Sequence, residues 1–397
     1  MSIYRILQDK LVTTLTSNRP QGLILTGIVG AGKTTLIENA LAEIEINDTR
    51  RIFRFSGDDL RFREAVASDS RYLRDAITSQ TQRPAILYVD EVQKTEAVFD
   101  AIKMAFDGAP LSFVLSGSDP DFLNTKAKKH LQRRADLWFL QPLSLPEILA
   151  HEKLAPLSAQ KEWHRVLFEW KGLQPIESLL EHSPEIETIS REYLITGGLP
   201  LAYLAEGRAA KMTEIKKVVE RGIDQLSKDN DSVSELIRIE LAKQHAREFA
   251  YQGIFQRTRL RRRERVNVVI DELINHGYLL RRHPFSLEEE RRTYLSILSF
   301  SDPGVVTYLT GIEDLEAAEL GFRIEGHVHA SLETLFRNEP LKTEMGYYKP
   351  FRMDANDKVK YLPGEIDFIL RRGNRVIPIE VKAGRDRSNF NIKNLEN

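Results

Sequence analysis

The spacing of apolar residues changes several times along the chain. Residues 1–20 carry apolar side chains at helical spacing and stop at Asn18-Arg19-Pro20, which predicts one amphipathic helix. Short strand-like runs follow, most of them apolar: Gly22-Leu23-Ile24-Leu25-Thr26, Arg51-Ile52-Phe53-Arg54-Phe55, Pro84-Ala85-Ile86-Leu87-Tyr88-Val89, Leu111-Ser112-Phe113-Val114-Leu115 and Leu137-Trp138-Phe139-Leu140. Runs of this length suit strands buried on both faces, and the helical spacing after the first of them predicts βαβ units. We therefore expect an α/β domain with a parallel sheet over residues 1–150. Residues 150–190 read as charged and helical, broken at Pro156, Pro175 and Pro184, and 205–250 as mostly helical. An amphipathic helix over 266–280, stopped at Gly277, leads into Leu279-Leu280-Arg281-Arg282, so helix, basic helix and wing predict a winged helix-turn-helix within 151–300. Over 301–397 we expect a smaller α/β domain. Residues 321–336 form its helix, after a strand over 294–299 and a turn at Ser301-Asp302-Pro303-Gly304. Gly364-Glu365-Ile366-Asp367-Phe368-Ile369-Leu370 and Arg375-Val376-Ile377-Pro378-Ile379-Glu380-Val381-Lys382 form a two-strand meander joined by Arg371-Arg372-Gly373-Asn374.

Candidate chemistry concentrates first at Gly27-Ile28-Val29-Gly30-Ala31-Gly32-Lys33-Thr34-Thr35, a G-x-x-x-x-G-K-[ST] loop between a strand and a helix. Its glycines let the backbone wrap phosphate oxygens, and the amides at the helix start face that charge. Lys33 is placed to reach the β- and γ-phosphates of ATP, and Thr34 to ligate Mg²⁺. The strand over 84–89 ends in Asp90-Glu91. Asp90 is the candidate Mg²⁺ partner, mostly through water, and Glu91 the candidate base for a hydrolytic water. Ser116, at the end of the next strand, either senses the γ-phosphate or closes an ordinary turn. Lys126, Lys128, Lys129, His130, Arg133 and Arg134 form a basic stretch: either a solvated face, or one in which Arg134 serves as an arginine finger or phosphate sensor.

Composition narrows the classes. With 42% hydrophobic and 29% charged residues among 397, the chain can build real cores and is expected to be soluble. It has no cysteine, which excludes disulfides, thiolate zinc sites and cysteine nucleophiles and fits a reducing, cytoplasmic setting. The start of the chain lacks the apolar core of a signal peptide, and no apolar stretch is long enough to span a bilayer. Net charge is −1, so affinity for nucleic acid must come from a local patch. The most basic run, Gln256-Arg257-Thr258-Arg259-Leu260-Arg261-Arg262-Arg263-Glu264-Arg265, can hold DNA phosphates, or can be solvated or paired with Glu288-Glu289-Glu290.

Near the end of the chain, Glu380 and Lys382 share a strand face and Asp367 can join them from the neighbouring strand. Two carboxylates can hold Mg²⁺, and a lysine beside them can orient or deprotonate water. This set resembles the PD-(D/E)xK nucleases, and the resemblance implies that Glu325 is the helix acid many of them add. That nuclease core normally continues with a helix and a strand, whereas this chain ends at Asn397, as a truncated product or with a trimmed core.

The phosphate loop, Tyr88-Val89-Asp90-Glu91-Val92-Gln93, Leu115-Ser116-Gly117-Ser118 and Arg134 with Pro142-Leu143-Ser144-Leu145-Pro146-Glu147 together resemble the AAA-type ATPases of bacteria and archaea that carry a C-terminal nuclease-like domain. One departure is Ile28-Val29, where that family often has arginine and glutamine. Tyr193-Leu194-Ile195-Thr196-Gly197-Gly198-Leu199-Pro200 resembles its second landmark, a Gly-Leu-Pro turn that sits under the nucleotide, which implies a nucleotide contact for Pro200. The resemblance implies ATP and ADP as ligands, Mg²⁺ as cofactor, DNA as substrate and self-assembly. Three functions compete: an ATPase-coupled nuclease, with defence against foreign DNA as one setting; a nucleotide switch whose C-terminal domain only binds; and a DNA-bound regulatory ATPase.

Overall fold

Strand β1 (Gly22–Gly27) is buried at every position and lies at the heart of a five-stranded parallel sheet. It pairs with β4 (Leu111–Ser116) on one side and β5 (Ala135–Leu140) on the other. Beyond β4 come β3 (Ala85–Asp90) and the edge strand β2 (Arg51–Ser56), giving the order β2-β3-β4-β1-β5. The five strand-like runs are these five strands, and the α/β fold of this part is as expected. Helix α1 (Ile6–Leu15) is shorter than residues 1–20, and α2 (Lys33–Asn47) begins inside the phosphate loop. Between β2 and β3 lie two short helices, α3 (Leu60–Ser68) and α4 (Tyr72–Thr78), which join α5 (Ala97–Gly108) over one face of the sheet. Helix α6 (Pro120–His130) precedes β5, and α7 (Leu145–His151) follows it. Phe99, Ile102, Leu87, Val89, Phe113 and Leu115 are fully buried in this core.

The structure is a computed structural model that describes residues 3–155, 184–226, 232–285, 295–339, 341–353, 359–361 and 364–382. The expected breaks at Pro156 and Pro175 and the Glu288-Glu289-Glu290 run lie outside them. The chain divides into two units: residues 1–157 with 199–201 and 275–277, and the remainder. Among the described residues no helix is long and apolar enough to cross a membrane.

The first described element of the second unit is α8 (Pro184–Thr196), followed by α9 (Pro200–Leu204), whose first residues belong to the first unit, and α10 (Arg208–Val218). Next come α11 (Ser232–Lys243), β6 (Arg247–Glu248), α12 (Tyr251–Thr258), α13 (Glu264–Asn275), β7 (Leu279–Pro284) and β8 (Ile297–Phe300). After α14 (Pro303–Thr310) and the long α15 (Ala317–Phe336) come β9 (Glu344–Tyr348), the small pair β10 (Phe351–Met353) and β11 (Val359–Tyr361), then β12 (Ile366–Arg372) and β13 (Arg375–Ile379). One sheet, ordered β13-β12-β9-β7-β8-β6, runs through strands from both sides of residue 300. Phe368 and Leu370 of β12 pack on Leu332 and Phe336 of α15.

This unit buries histidines. His245 accepts a hydrogen bond from the Phe300 amide at 3.1 Å, and a Cβ on Gly326 would come within 2.0 Å of its Nε2, so the helix can pass only as glycine. Burial, with help from Arg323 and Arg247, pushes His245 down to about 3, and desolvation of the half-buried His327 pushes it down to about 4. Both therefore stay neutral in the folded state while the unfolded chain protonates them near pH 6.5. Their stabilising effect is complete above that pH and is lost as pH falls toward 4, at about 1.4 kcal/mol per pH unit for each histidine. The urea midpoint of this unit's transition should thus drop between pH 7 and pH 5, and less steeply in His245→Gln. A midpoint constant over that range would contradict the buried, neutral assignment.

Candidate functional site

The phosphate loop lies between β1 and α2 at the carboxyl ends of the strands. Gly27 (φ 153°) must lack a Cβ because one would approach the Leu140 carbonyl oxygen to 2.3 Å. Gly32 (φ 89°) caps α2 in the left-handed region that glycine adopts freely. A Cβ there would also meet Pro200 at 3.4 Å, which puts the proline of the Gly-Gly-Leu-Pro turn beside the loop. Gly197 and Gly198 belong to the second unit, where the Gly198 amide donates to Asp302 Oδ2 at 2.8 Å. Lys33 Nζ donates to the carbonyl oxygens of Gly27 (3.0 Å) and Ile28 (3.1 Å). Burial lowers its pKa to about 8, against the opposing pull of Glu91 and Asp90.

Those two acids close the site from the end of β3. Thr34 Oγ1 donates to Asp90 Oδ2 at 3.0 Å, so the hydroxyl at the end of the loop and the carboxylate at the end of β3 meet directly. Asp90 Oδ1 accepts from the Glu91 amide at 3.0 Å and from Ser116 Oγ. Ser116 is thus fully buried against the Asp90 carboxylate, with the Tyr88 hydroxyl 3.4 Å away. Burial raises the Tyr88 pKa. Glu91 has a positive φ of 49°, and its Oε2 accepts from Gln93 Nε2.

Arg134 has a partner after all. Its Nε and Nη2 each donate to the Asp107 carboxylate at 2.8 Å. It precedes β5, whose Ala135 pairs with Gly22 while Leu140 pairs with Gly27. Five strand residues span roughly 17 Å. Arg134 therefore stands at the opposite end of the sheet from its own phosphate loop and is no sensor within its own domain. The basic stretch before it is largely paired: Lys126 with Glu96, and His130 with Asp100 at 2.8 Å.

Arg5 was not singled out in the sequence. It is 5% exposed, and it donates to the carbonyl oxygens of Ala31 (2.9 Å) and Gln141 (2.7 Å) and to Glu147 Oε1 (3.0 Å). Glu147 in turn accepts from the Ile6 amide and from the Ser144 amide and hydroxyl. This one guanidinium thus fixes the phosphate loop to both the start of α1 and the turn after β5. No local pattern marks it, because its partners lie 26 to 142 residues away.

In the second unit, Glu325 stands on α15, Asp367 on β12, and Glu380 and Lys382 just past β13. The register pairs Phe368 with Ile379, so Asp367 and Glu380 fall at the next step. Asp367 Oδ2 accepts from the Val381 amide at 2.7 Å, and Lys382 donates to Glu380. Burial and the charge of Asp367 raise Glu325 to about 7; burial and the charge of Glu380 raise Asp367, although the Val381 hydrogen bond pulls it down. The four residues are therefore gathered within electrostatic reach. A cation already sits among them: Arg282, 1% exposed, donates to the Asp367 carbonyl oxygen, lies 3.8 Å from Glu325 and 3.9 Å above the Phe368 ring. Burial lowers its pKa to about 10. Among the described residues no three acidic or histidine side chains come together closely enough to hold a metal ion.

The basic run is partly tied down. Arg257 pairs with Glu240 at 2.9 Å, and Arg263 lies 4.6 Å from the Tyr251 ring. Arg261 and Arg262 are exposed and unpaired among the described residues.

Residues 19–149 match the family model described as an AAA domain. The chain carries an AAA-type P-loop ATPase domain and is an ATP hydrolase. No curated protein matches it. Among solved structures it is similar to a Walker-type ATPase of Pyrococcus abyssi at 13% identity, covering 78% of this chain and 96% of that one with a TM-score of 0.48. It is also similar to the ORC1 protein of Aeropyrum pernix in complex with DNA (15% identity, 76% and 90%, TM-score 0.30). The ORC2 protein of Aeropyrum pernix in its ADP form is a further one (15%, 84% and 95%, TM-score 0.35).

Removing Arg5 tests the loop's support. Arg5→Met leaves Glu147 buried without its countercharge, which should cost about 3–5 kcal/mol. Thermal unfolding should show that loss, and ATP affinity should fall with it. Wild-type stability and affinity in this variant would show that the loop is held by other contacts.

Proposed function

We propose that this protein is a Mg²⁺-dependent ATPase that works on DNA, with the ATPase in the first unit and the DNA-handling surfaces in the second. Lys33 and the loop amides hold the β- and γ-phosphates; Thr34 and Asp90 hold the metal, which neutralises phosphate charge when bound. Ser116 keeps the Asp90 carboxylate turned toward Thr34, and Glu91 accepts a proton from the attacking water. Pro200 lines the loop at Gly32. The absence of cysteine suits a cytoplasmic protein.

The observation that carries the DNA reading is the order α11-β6-α12-α13-β7-β8, with β8 hydrogen-bonded between β6 and β7. Three helices followed by a hairpin, with Arg259, Arg261 and Arg262 exposed ahead of the third helix, support a winged helix that holds the phosphate backbone. Residues 301–397 then supply a nuclease-like domain in which Asp367, Glu380 and Lys382 cut and Glu325 assists. Arg282 favours a second reading. A resident guanidinium beside Asp367 and Glu325 offsets the charge a metal would otherwise offset, which suits a domain that binds without cleaving.

One experiment separates these readings. Reversing Arg259, Arg261 and Arg262 to glutamate should weaken DNA binding regardless of sequence and flatten its salt dependence, because fewer counterions are released. Asp367→Ala and Lys382→Ala should keep binding and lose any cleavage seen with Mg²⁺ or Mn²⁺. Binding without cleavage in the wild type supports the second reading, and unchanged binding after arginine reversal removes this surface from the account.

Assembly is the remaining part. Arg134 cannot serve its own loop, so in this reading it acts on the nucleotide of a neighbouring copy after releasing Asp107. ATP should then stabilise an oligomer that ADP does not. Light scattering that shows a monomer with ATP, with ADP and without nucleotide would remove Arg134 from the catalytic set.

A further inference from the structure

Glu91 is held far more firmly than a proton acceptor at a strand end requires. Its left-handed backbone costs a non-glycine residue about 1 kcal/mol, so its surroundings must enforce it. The Gly57 amide donates to the Asp90 carbonyl oxygen at 2.8 Å, and the Lys94 amide to the Glu91 carbonyl oxygen at 3.1 Å. A Cβ on Gly57 would come within 2.2 Å of that same Glu91 oxygen. At the side chain, Glu91 Oε2 accepts from Gln93 Nε2, which also donates to Ser118 Oγ at 3.1 Å, in the loop between β4 and α6. The other end of this amide, Gln93 Oε1, is buried with no hydrogen-bond partner. It presses on Gly117, where a Cβ would approach it to 2.3 Å. An amide that leaves its own acceptor unsatisfied in order to aim its donor is set by the shape around it.

We propose that Gln93 is a positioning residue for ATP hydrolysis. It pins Oε2 of Glu91, leaves Oε1 as the acceptor for the proton of the attacking water, and ties that carboxylate through Ser118 to the loop after β4. Glutamine suits the task by charge. A lysine or arginine there would neutralise Glu91 and lower its basicity, whereas an acid would repel it and set the two to share a proton. A carboxylate pinned at one oxygen also loses little rotational freedom when water arrives, which is how supporting hydrogen bonds raise the rate without touching substrate. The inference rests on Glu91 being the proton acceptor.

Steady-state ATP hydrolysis tests it in Gln93→Leu, Gln93→Glu, Ser118→Ala, Glu91→Gln and the Glu91→Gln/Gln93→Leu pair. Gln93→Leu should lower kcat by about 10- to 100-fold, the range typical of lost supporting hydrogen bonds, with KM for ATP nearly unchanged. Ser118→Ala should lose a few-fold in kcat. Gln93→Glu should move the acid limb of the kcat–pH profile upward, because two carboxylates in contact cannot both ionise freely; a purely structural role would leave that limb in place. The double variant should be no slower than Glu91→Gln alone. Wild-type kcat in Gln93→Leu, a raised KM at unchanged kcat, or a loss that multiplies with that of Glu91→Gln overturns the proposal while leaving Glu91 its role. Wild-type kcat in Glu91→Gln overturns both. If Gln93→Leu does not fold, Ser118→Ala and the pH limb of Gln93→Glu decide the question.

Discussion

A loop that offers bare backbone amides to a polyphosphate cannot fix its own shape with side chains, and here the fixing comes from the buried guanidinium of Arg5. It holds Ala31 of the loop, the Gln141 carbonyl oxygen beyond β5, and Glu147 at once. Buried ion pairs add little net stability compared with apolar packing, but they define geometry because breaking one strands a charge. The consequence reaches the chemistry. The loop's position sets where α2 begins, α2 sets Thr34, and Thr34 meets Asp90 at 3.0 Å. Asp90 is held from the other side by Ser116, and Glu91 by Gln93 and Ser118. The ends of β1, β3, β4 and β5 are thus joined by side chains into one frame around the space for ATP.

The second unit treats negative charge differently. In the ATPase unit the strand-end carboxylates accept hydrogen bonds from neutral hydroxyl and amide donors, and the nearby cation, Lys33, acts on them through space while its ammonium donates to loop carbonyls. At Asp367 and Glu325 a buried arginine under an aromatic ring is already present. Burial is the main cause that raises the Glu325 and Asp367 carboxyls and lowers Arg282, while the opposite charges pull each of them back toward the ionised form.

Legibility in the sequence followed the range of the interactions. The inner strands β1, β3 and β4 were readable because a parallel strand buried on both faces is continuously apolar, whereas the edge strands β2 and β5 show shorter apolar patches; the phosphate loop was readable because its glycines and lysine are contiguous. Helices α3 and α4 were not read; the charged Leu60–Ser68 segment shows only Phe62 and Val66 to the core. The sequence offers Arg134 as a solvated residue or a phosphate sensor, whereas Asp107, near the end of a helix 27 residues earlier, accepts from both its Nε and Nη2. Arg5, Gln93 and Arg282 escaped for the same reason. Each matters through a contact that only the fold creates: Arg282 with residue 367, Gln93 with residue 118, Arg5 with residue 147. The Asp367, Glu380 and Lys382 set was legible as a pattern, whereas the arginine inside it was not.

The proposal that this ATPase works on DNA is tested most directly by DNA-dependent ATP turnover. Steady-state hydrolysis should be followed at saturating ATP and Mg²⁺ while duplex DNA is titrated in at low salt. The account predicts a DNA-dependent change in kcat that disappears at high salt, as the phosphate contacts are screened. Turnover that stays constant from no DNA to saturating DNA, in protein that hydrolyses ATP normally, would contradict it.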